Sequence, residues 1–186
     1  MEACSIEAVV ETLWAVPGEE VYAVLDSARD PLVRAKLLAS DAHSACLYEG
    51  RIPREIAEVA PYLVKLRRDH RFTEQVLESG WGRSWGVFAS APADFETMRR
   101  HFRRFLRVED ESSKKLLFRW YDPRVLRVYL PTCTERELDM LFGPLSSYYA
   151  EDDDVARLNV YSRRNGLYAM GRVSVGRTIA SPRTTA

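Results

Sequence analysis

Two aspartates and a tyrosine are the residues of this chain whose positions could support chemistry. Asp26, Tyr48 and Asp122 each lie near the C-terminal end of a predicted strand, the edge at which open α/β sheets place ligand crevices. Asp26 and Asp122 could act there as general acid and base, which predicts a small enzyme. Asp26 and Asp30 could equally cap the helix that begins at Pro31, because aspartate is common before helix starts. Capping is the favoured interpretation.

The other residue types used in catalysis form no recognisable motif. His43, His70 and His101 fall in three different elements, and none neighbours a serine or cysteine in a hydrolase signature. The segment GWGRSWG (80–86) follows a helix and enters a strand, which is the reverse of a phosphate-binding loop. The cysteines are odd in number and far apart, as expected for reduced thiols. The sequence therefore predicts no catalytic residues, no metal and no cofactor.

Charge and hydropathy limit the classes of partner. Basic and acidic residues number 27 each, so no net field draws the chain to nucleic acid or to an anionic membrane. The opening segment MEACSIEAVVETLWAV lacks a basic start and is interrupted by glutamates, which excludes a signal peptide and a membrane span. We therefore expect a cytoplasmic protein that binds neither nucleic acid nor membrane. The arginine-rich face of the helix predicted at 94–106 is taken as solvated, with docking to an acidic partner surface as the alternative. Nucleic-acid binding is a third option, disfavoured because one basic helix on a neutral chain gives little affinity for phosphates.

The elements that must position these residues alternate between strand and helix. Apolar runs at 21–26, 44–48, 62–66, 84–89 and 115–121 predict strands, and the patterns at 31–40, 53–60, 72–80 and 94–106 predict helices. Such alternation with short links is typical of an α/β fold with a mostly parallel central sheet and flanking helices.

The strand predicted at 115–121 contains one side chain that does not fit. Both of its faces are largely apolar, so it is expected to be central and covered on both sides. Arg119 is the exception, and a buried guanidinium requires a carboxylate partner such as Asp26 or Asp122. Asp122-Pro123 then starts a helix, and TERE (134–137) forms a capping box for the next one.

The alternation stops after residue 122, and a small C-terminal helical and hairpin lobe is expected. The predicted organisation is a main domain at 1–145, a lobe at 146–176 with a hairpin turning at Asn165-Gly166, and a disordered tail at 177–186. Aromatic side chains beside arginines suit a protein interface. The candidate partner-binding residues are Arg124, Arg127, Tyr148, Tyr149, Tyr161 and Tyr168. The alternative, which is left open, is that the tyrosines complete the core under the hairpin.

Several segments together resemble a known family. They are VLDSARDP (24–31), ACLYEGRIPREIAEVAPYLVKL (45–66), GWGRSWGVF (80–88), FRRFLRV (102–108), LFRWYDPRVLRVYLPTC (117–133) and FGP (142–144). Their order and spacing resemble the domain of unknown function 4123 family over about residues 20–145. Members of that family are chaperones, also called adaptors, for effectors of the bacterial type VI secretion system.

The resemblance implies a function in binding and not in catalysis. It implies a cytoplasmic protein that binds one cognate toxic effector and helps to load it onto the valine-glycine repeat spike protein, without being an enzyme. The family's motif residues fall here on Asp26, Arg29, Asp30, Trp81, Trp85, Arg119, Asp122 and Arg124, which are taken chiefly as structural. The region after about residue 145 varies among members, so the choice of effector is expected to be made there.

Overall fold

Alternating helices and strands make up the described part of the chain, residues 5–109 and 115–176 of this computed structural model. The helices are α1 (Ile6–Leu13), α2 (Pro31–Leu38), α3 (Arg54–Glu58), α4 (Arg71–Gly80), α5 (Phe95–Arg103), α6 (Pro123–Tyr129), a 3-10 turn (Leu130–Thr132) and α7 (Glu135–Phe142). The strands are β1 (Glu20–Asp26), β2 (Ser44–Cys46), β3 (Pro61–Leu66), β4 (Gly86–Ala91), β5 (Arg107–Glu109), β6 (Lys115–Leu117), β7 (Ser147–Glu151), β8 (Arg157–Arg164) and β9 (Leu167–Ser174).

The central sheet is antiparallel, so the prediction of a mostly parallel sheet is wrong. Seven strands form it in the order β2-β3-β1-β4-β7-β8-β9, and each neighbouring pair runs antiparallel. The register is fixed at its centre by Leu25, which lies opposite Tyr62 of β3 on one side and Gly86 of β4 on the other.

The physical reason for the error is that a third strand separates the strands joined by a helix. α2 joins β1 to β2, which point the same way, but β3 lies between them; α4 likewise joins β3 to β4 with β1 between them. Each unit is thus a split β-α-β motif. Its strands and helices alternate along the sequence as they do in a parallel sheet, but the two parallel strands are not hydrogen-bonded to each other.

Helices cover both faces of the sheet, which produces two apolar cores. On one face, Val21, Ala23 and Leu25 of β1 pack with buried residues of α1, α2 and α4. On the other, Tyr22 and Val24 pack with buried residues of α5, α6 and α7. Because both faces are covered, strands such as β4 are buried at every position and lack the apolar-polar alternation of a half-exposed strand.

Residues 115–121 do not form a central strand, which corrects a second expectation. Only Lys115–Leu117 is a strand, and it pairs with β5 in a separate two-stranded sheet. The following residues connect to α6 in irregular conformation, and they bury Trp120 and Tyr121 in the core. The apolar character of this stretch therefore reflects a buried connection.

The C-terminal residues continue the main sheet and do not form a separate helical and hairpin lobe. β7 pairs with β4, and the expected hairpin, confirmed as β8 and β9, extends the sheet from β7. Its turn has Asn165 and Gly166 at φ 52° and 76°, the left-handed conformation of a two-residue hairpin. Ending the chain after residue 145 would remove three strands of the seven-stranded sheet. The predicted disordered tail, 177–186, lies outside the described residues.

Candidate functional site

Asp26 and Arg119 form one of the two ion pairs that the sequence suggested, but the buried member is the aspartate and not, as expected, the arginine. Asp26 ends β1 and is 1% exposed, whereas the Arg119 side chain is 42% exposed. The Asp26 carboxylate accepts hydrogen bonds from the Arg119 guanidinium and, at 3.0 Å, from the Ala28 backbone N–H. The pair ties the end of β1 to the connection that leads into α6, so Asp26 has a structural partner.

We expect Arg119→Ala to lower the free energy of unfolding by about 1–3 kcal/mol, because it leaves the buried Asp26 carboxylate without its cation. Water can reach the half-exposed site, so the loss stays below that of a fully buried pair. Denaturant unfolding measures the change. Arg54→Ala is the control, since Arg54 pairs with Glu58 on the surface and should change stability by less than about 0.5 kcal/mol. Equal effects of the two substitutions would contradict the assignment.

Asp122 is likewise occupied by a neighbouring arginine. It caps α6 by accepting a hydrogen bond from the Arg124 backbone N–H at 3.0 Å, and it accepts two more from the Arg124 guanidinium, at 3.0 Å from Nε and 2.6 Å from Nη2. Burial raises the pKa of the Asp122 carboxyl, but the Arg124 hydrogen bonds outweigh it and the net shift is downward. A carboxyl with a lowered pKa is a poor general acid at neutral pH. Structural contacts thus account for both aspartates of the enzyme hypothesis.

The loop GWGRSWG is held by a carboxylate from a distant strand. Glu151, the last residue of β7, is 7% exposed and accepts hydrogen bonds from the backbone N–H groups of Gly82 and Ser84, both at 2.7 Å, and from the Ser84 hydroxyl at 3.2 Å. Gly82 and Ser84 both have positive φ, so their N–H groups converge on one acceptor. This loop therefore binds an internal carboxylate, which sequence reasoning missed because no local pattern marks Glu151 as a partner.

Each tryptophan of this loop donates a hydrogen bond to a residue outside the loop. The Trp85 indole N–H donates to Asp30 at 3.1 Å, and Asp30 also caps α2. The Arg29 guanidinium donates to the Arg83 carbonyl at 3.1 Å. Trp81 donates to the Val155 carbonyl at 2.8 Å. These motif residues therefore form a framework around the ends of β1 and β4.

Three of the four candidate tyrosines are core residues, so they do not present a partner-binding surface as proposed from the sequence. Tyr148, Tyr149 and Tyr161 are 1%, 3% and 5% exposed. Tyr148 donates to the Leu141 carbonyl at 2.8 Å, and the Tyr149 hydroxyl lies 3.2 Å from the Ser90 hydroxyl. Tyr168 is partly buried against Phe142 and donates to Asp139 at 2.5 Å. The alternative that the tyrosines complete the core is confirmed for the three buried side chains, because helices cover both faces of the sheet.

The two candidate arginines have different surroundings. Arg124 lies half exposed beside Asp122. Arg127 is mostly buried, donates to the Glu151 carbonyl at 2.9 Å and pairs with Asp153. Arg127 thus connects α6 to the acidic run that follows β7, whose aspartates are also engaged by arginines of β8 and β9.

Exposed apolar side chains form two groups that sequence reasoning did not identify. One lies around α2 and α3, where Leu38 and Val59 border a groove of about 600 Å³. The other lies around the last strand and the nearby helices. There Val128 and Met170, at 72% and 46% exposure, border a groove of about 490 Å³, while Leu167 and Val173 stand exposed on the opposite face of the strand. Both groups are candidate partner-binding surfaces, since exposed apolar side chains in groups are typical of such sites.

The basic helix α5 places arginines along a third, charged surface. Arg100, Arg104 and Arg107 are exposed and border a groove of about 290 Å³ beside Leu47 and Tyr48. Arg103 borders the same groove and donates to the backbone carbonyls of Cys46, Leu47 and Tyr48 at the end of β2. This arrangement fits the solvated face that was expected and leaves the acidic-partner alternative open.

The histidines lie in three separate places, each with a structural contact. His43 stacks on Phe95, His70 caps α4, and the His101 Nε2 lies 2.8 Å from the Leu141 carbonyl. In residues 5–109 and 115–176, no cluster of three or more histidine, cysteine or acidic side chains is placed to hold a metal ion. Within the same ranges, no helix has the length and apolar character needed to cross a bilayer.

The fold is an antiparallel sheet covered by helices on both faces, and the motif segments identified in the sequence form a structural framework within it. Residues 21–140 match the family model described as Domain of unknown function (DUF4123), and this range is well over half of the chain. The chain therefore belongs to the DUF4123 family, which confirms the resemblance seen in the sequence. No curated protein and no solved structure matches it.

Proposed function

We propose that this protein is a type VI secretion chaperone that binds a cognate toxic effector in the cytoplasm and helps to load it onto the valine-glycine repeat spike protein. Family membership supports the proposal, since chaperones of this kind are what the family resemblance implies. The observation that best supports it is a division between residues that stabilise the fold and residues that are exposed on the surface. The residues of the motif segments hold the fold together, while apolar side chains stand exposed at the α2–α3 groove and around β9.

This division favours a binding protein over the enzyme hypothesis. Asp26 and Asp122, the two candidate catalytic carboxylates, each bind an arginine and a backbone N–H, so neither projects an unpartnered carboxyl toward a substrate. In the part of the chain that the structure describes, Leu38 and Val128 leave 70% and 72% of their surface exposed to water. Partner binding explains this exposure, because docking would remove their apolar area from water.

The test is to delete the gene in a bacterium that produces the protein and to follow secretion. We expect one effector to disappear from the secreted fraction and to become unstable in the cytoplasm, while secretion of other effectors continues. A tagged copy should restore secretion and capture both that effector and the spike protein. An Asp26→Asn, Asp122→Asn double variant that still folds should also restore secretion. Unchanged secretion in the deletion strain, with neither partner captured, would refute the proposal.

A further inference from the structure

Four arginines of α5 and the strand that follows it are spaced as i, i+3, i+4 and i+7, the spacing of one helical face. They are Arg100, Arg103, Arg104 and Arg107. Together with Tyr48 and Glu49 they border the groove of about 290 Å³. Arginine and tyrosine are enriched among the residues that dominate the binding energy of protein interfaces. The groove therefore has the composition of a protein-binding site.

One of these arginines builds the groove, and the other three are left over. The Arg103 guanidinium donates to three backbone carbonyls at the end of β2, at 3.0–3.2 Å, and lies 3.7 Å from the Glu49 carboxylate. It thus holds one wall of the groove against α5. The other three arginines are exposed, and none forms an ion pair with a residue that the structure describes. They are Arg100, Arg104 and Arg107.

The neighbouring sequence supplies little negative charge to match these three. Residues 99–107 include five arginines and no acidic residue. The acidic residues at 109–111 are followed by lysines at 114 and 115, so that stretch is close to neutral in itself. Glu49, which also borders the groove, lies beside Arg103. The groove therefore has an excess of positive charge, and it is complementary to an acidic ligand.

We propose that this groove binds an acidic segment of the effector, whose carboxylates pair with Arg100, Arg104 and Arg107. This rests on the proposed function and adds a site and the chemistry of the bound segment. Arginine can form two parallel hydrogen bonds with one carboxylate, which makes such a pair geometrically specific. Opposite charge speeds association, and exposed ion pairs are individually weak. Both properties suit a chaperone that must capture its effector and later release it.

Two other occupants fit the observations less well. A second copy of the chain would have to offer the acidic run at 151–154, whose three aspartates are already paired with arginines of their own chain. Nucleic acid requires a positive strip that follows many phosphates. The basic face stops short of the start of α5, where Asp94 and Glu96 lie, and the chain has no net charge. An acidic protein segment is therefore the favoured occupant.

The probe is a capped peptide of six glutamates, added to the full chain labelled for backbone-amide NMR. We expect the largest shifts at amides that border the groove, such as those of Tyr48, Arg104 and Arg107. Binding should weaken as salt is raised, because the arginines are exposed and salt screens such pairs. The matched peptide of six glutamines has no charge and should bind about tenfold more weakly.

A triple variant with glutamine in place of the three exposed groove arginines tests the site within the protein. Its substitutions are Arg100→Gln, Arg104→Gln and Arg107→Gln. The variant should keep the wild-type melting temperature, but it should bind the glutamate peptide about tenfold more weakly. The control removes the same charge from exposed positions outside the groove, through Arg68→Gln, Arg136→Gln and Arg164→Gln. Its binding should stay within about twofold of the wild type. If the groove variant does not fold, the two peptides still decide the question, because they use the unchanged protein.

Capture from the native bacterium distinguishes the effector from the spike protein. The tagged groove variant should capture several times less effector than the wild type does, but the same amount of spike protein. The reverse result would assign the groove to the spike protein and overturn the proposal. If the wild type itself captures neither partner, the proposed function fails, whatever the peptides show.

Four other results would overturn the proposal. The first is no binding of the glutamate peptide, or equal binding by the glutamine peptide or the groove variant. The second is tighter binding of a short oligonucleotide, which would assign the groove to nucleic acid. The third is a set of groove shifts on raising protein concentration alone, which would assign it to a second copy. The fourth is peptide binding only after Glu109→Gln, Asp110→Asn and Glu111→Gln, which would assign it to the chain's own acidic residues.

Discussion

Gly86→Ala should be the most destabilising single substitution in the GWGRSWG loop, with a loss of about 3 kcal/mol in the free energy of unfolding. Gly86 begins β4 and lies opposite Leu25 of β1. A Cβ at this position would stand 2.0 Å from the carbonyl oxygen of Val24 and 3.0 Å from the Leu25 Cα. Both contacts are with backbone, so no side chain can move aside, and the two central strands would have to separate. Denaturant unfolding followed by circular dichroism measures the loss.

Gly171→Ala is the matched control for that substitution. Gly171 also lies within a strand, but a Cβ there would meet no atom within 4 Å. Alanine costs less conformational entropy than glycine on folding, so the change should be between neutral and about 1 kcal/mol stabilising. If both glycine variants unfolded at the same denaturant concentration as the wild type, the close approach of β4 to β1 would be wrong.

Glu151→Ala should lower the free energy of unfolding by about 2–4 kcal/mol, because it leaves the N–H groups of Gly82 and Ser84 without their acceptor. Amide exchange at those two residues should accelerate in the variant even under conditions in which the rest of the protein stays folded. Glu58→Ala is the control. Glu58 pairs with Arg54 and both side chains are more than half exposed, so its removal should cost less than about 0.5 kcal/mol. Unchanged exchange at Gly82 and Ser84 would refute the role assigned to Glu151.

The pH dependence of Glu151 has a defined sign. Burial raises the pKa of its carboxyl above the ordinary value of 4.5, although the Gly82 and Ser84 hydrogen bonds oppose the shift. The folded state then binds this proton more tightly than the unfolded state does. The contribution of Glu151 to the free energy of unfolding therefore falls as pH rises from 4.5 through the raised pKa. Comparison with Glu151→Gln, which cannot titrate, should show the wild type losing stability relative to the variant over that interval.

Local backbone chemistry was the most predictable part of this fold. Asp30 before Pro31 and Asp122 before Pro123 start helices as expected, and the Thr134–Glu137 capping box is present. These features depend on residues within a few positions of one another, so they can be predicted from the sequence alone. A carboxylate partner for Arg119 was also expected, with Asp26 and Asp122 as the candidates, but the reason was wrong, because the Arg119 side chain is 42% exposed and lies outside any strand.

Strand direction and tyrosine burial depended on distant parts of the chain. The placement of β1 between β3 and β4 is set by pairing along two edges, which no local pattern reports. Tyr148 and Tyr149 point to opposite faces of β7, and both are buried because helices cover each face. The hydrogen bond from Ser84 to Glu151 joins residues 67 positions apart in the chain. Nothing in the sequence distinguishes Glu151 from the other acidic residues of its run as a buried acceptor. Polar contacts that close long loops were therefore missed.

The order of strands in the sheet has a consequence for synthesis on the ribosome. β4 is complete at residue 91, but its outer neighbour β7 begins only at residue 147. During the interval, β4 stands at the growing edge of a nascent sheet, although its six residues are all buried in the finished protein. Such an edge invites pairing with other nascent chains. The last strands therefore complete the core and also cover the edge of β4 once they have been synthesised. Translation that stalls between β4 and β7 should yield aggregates.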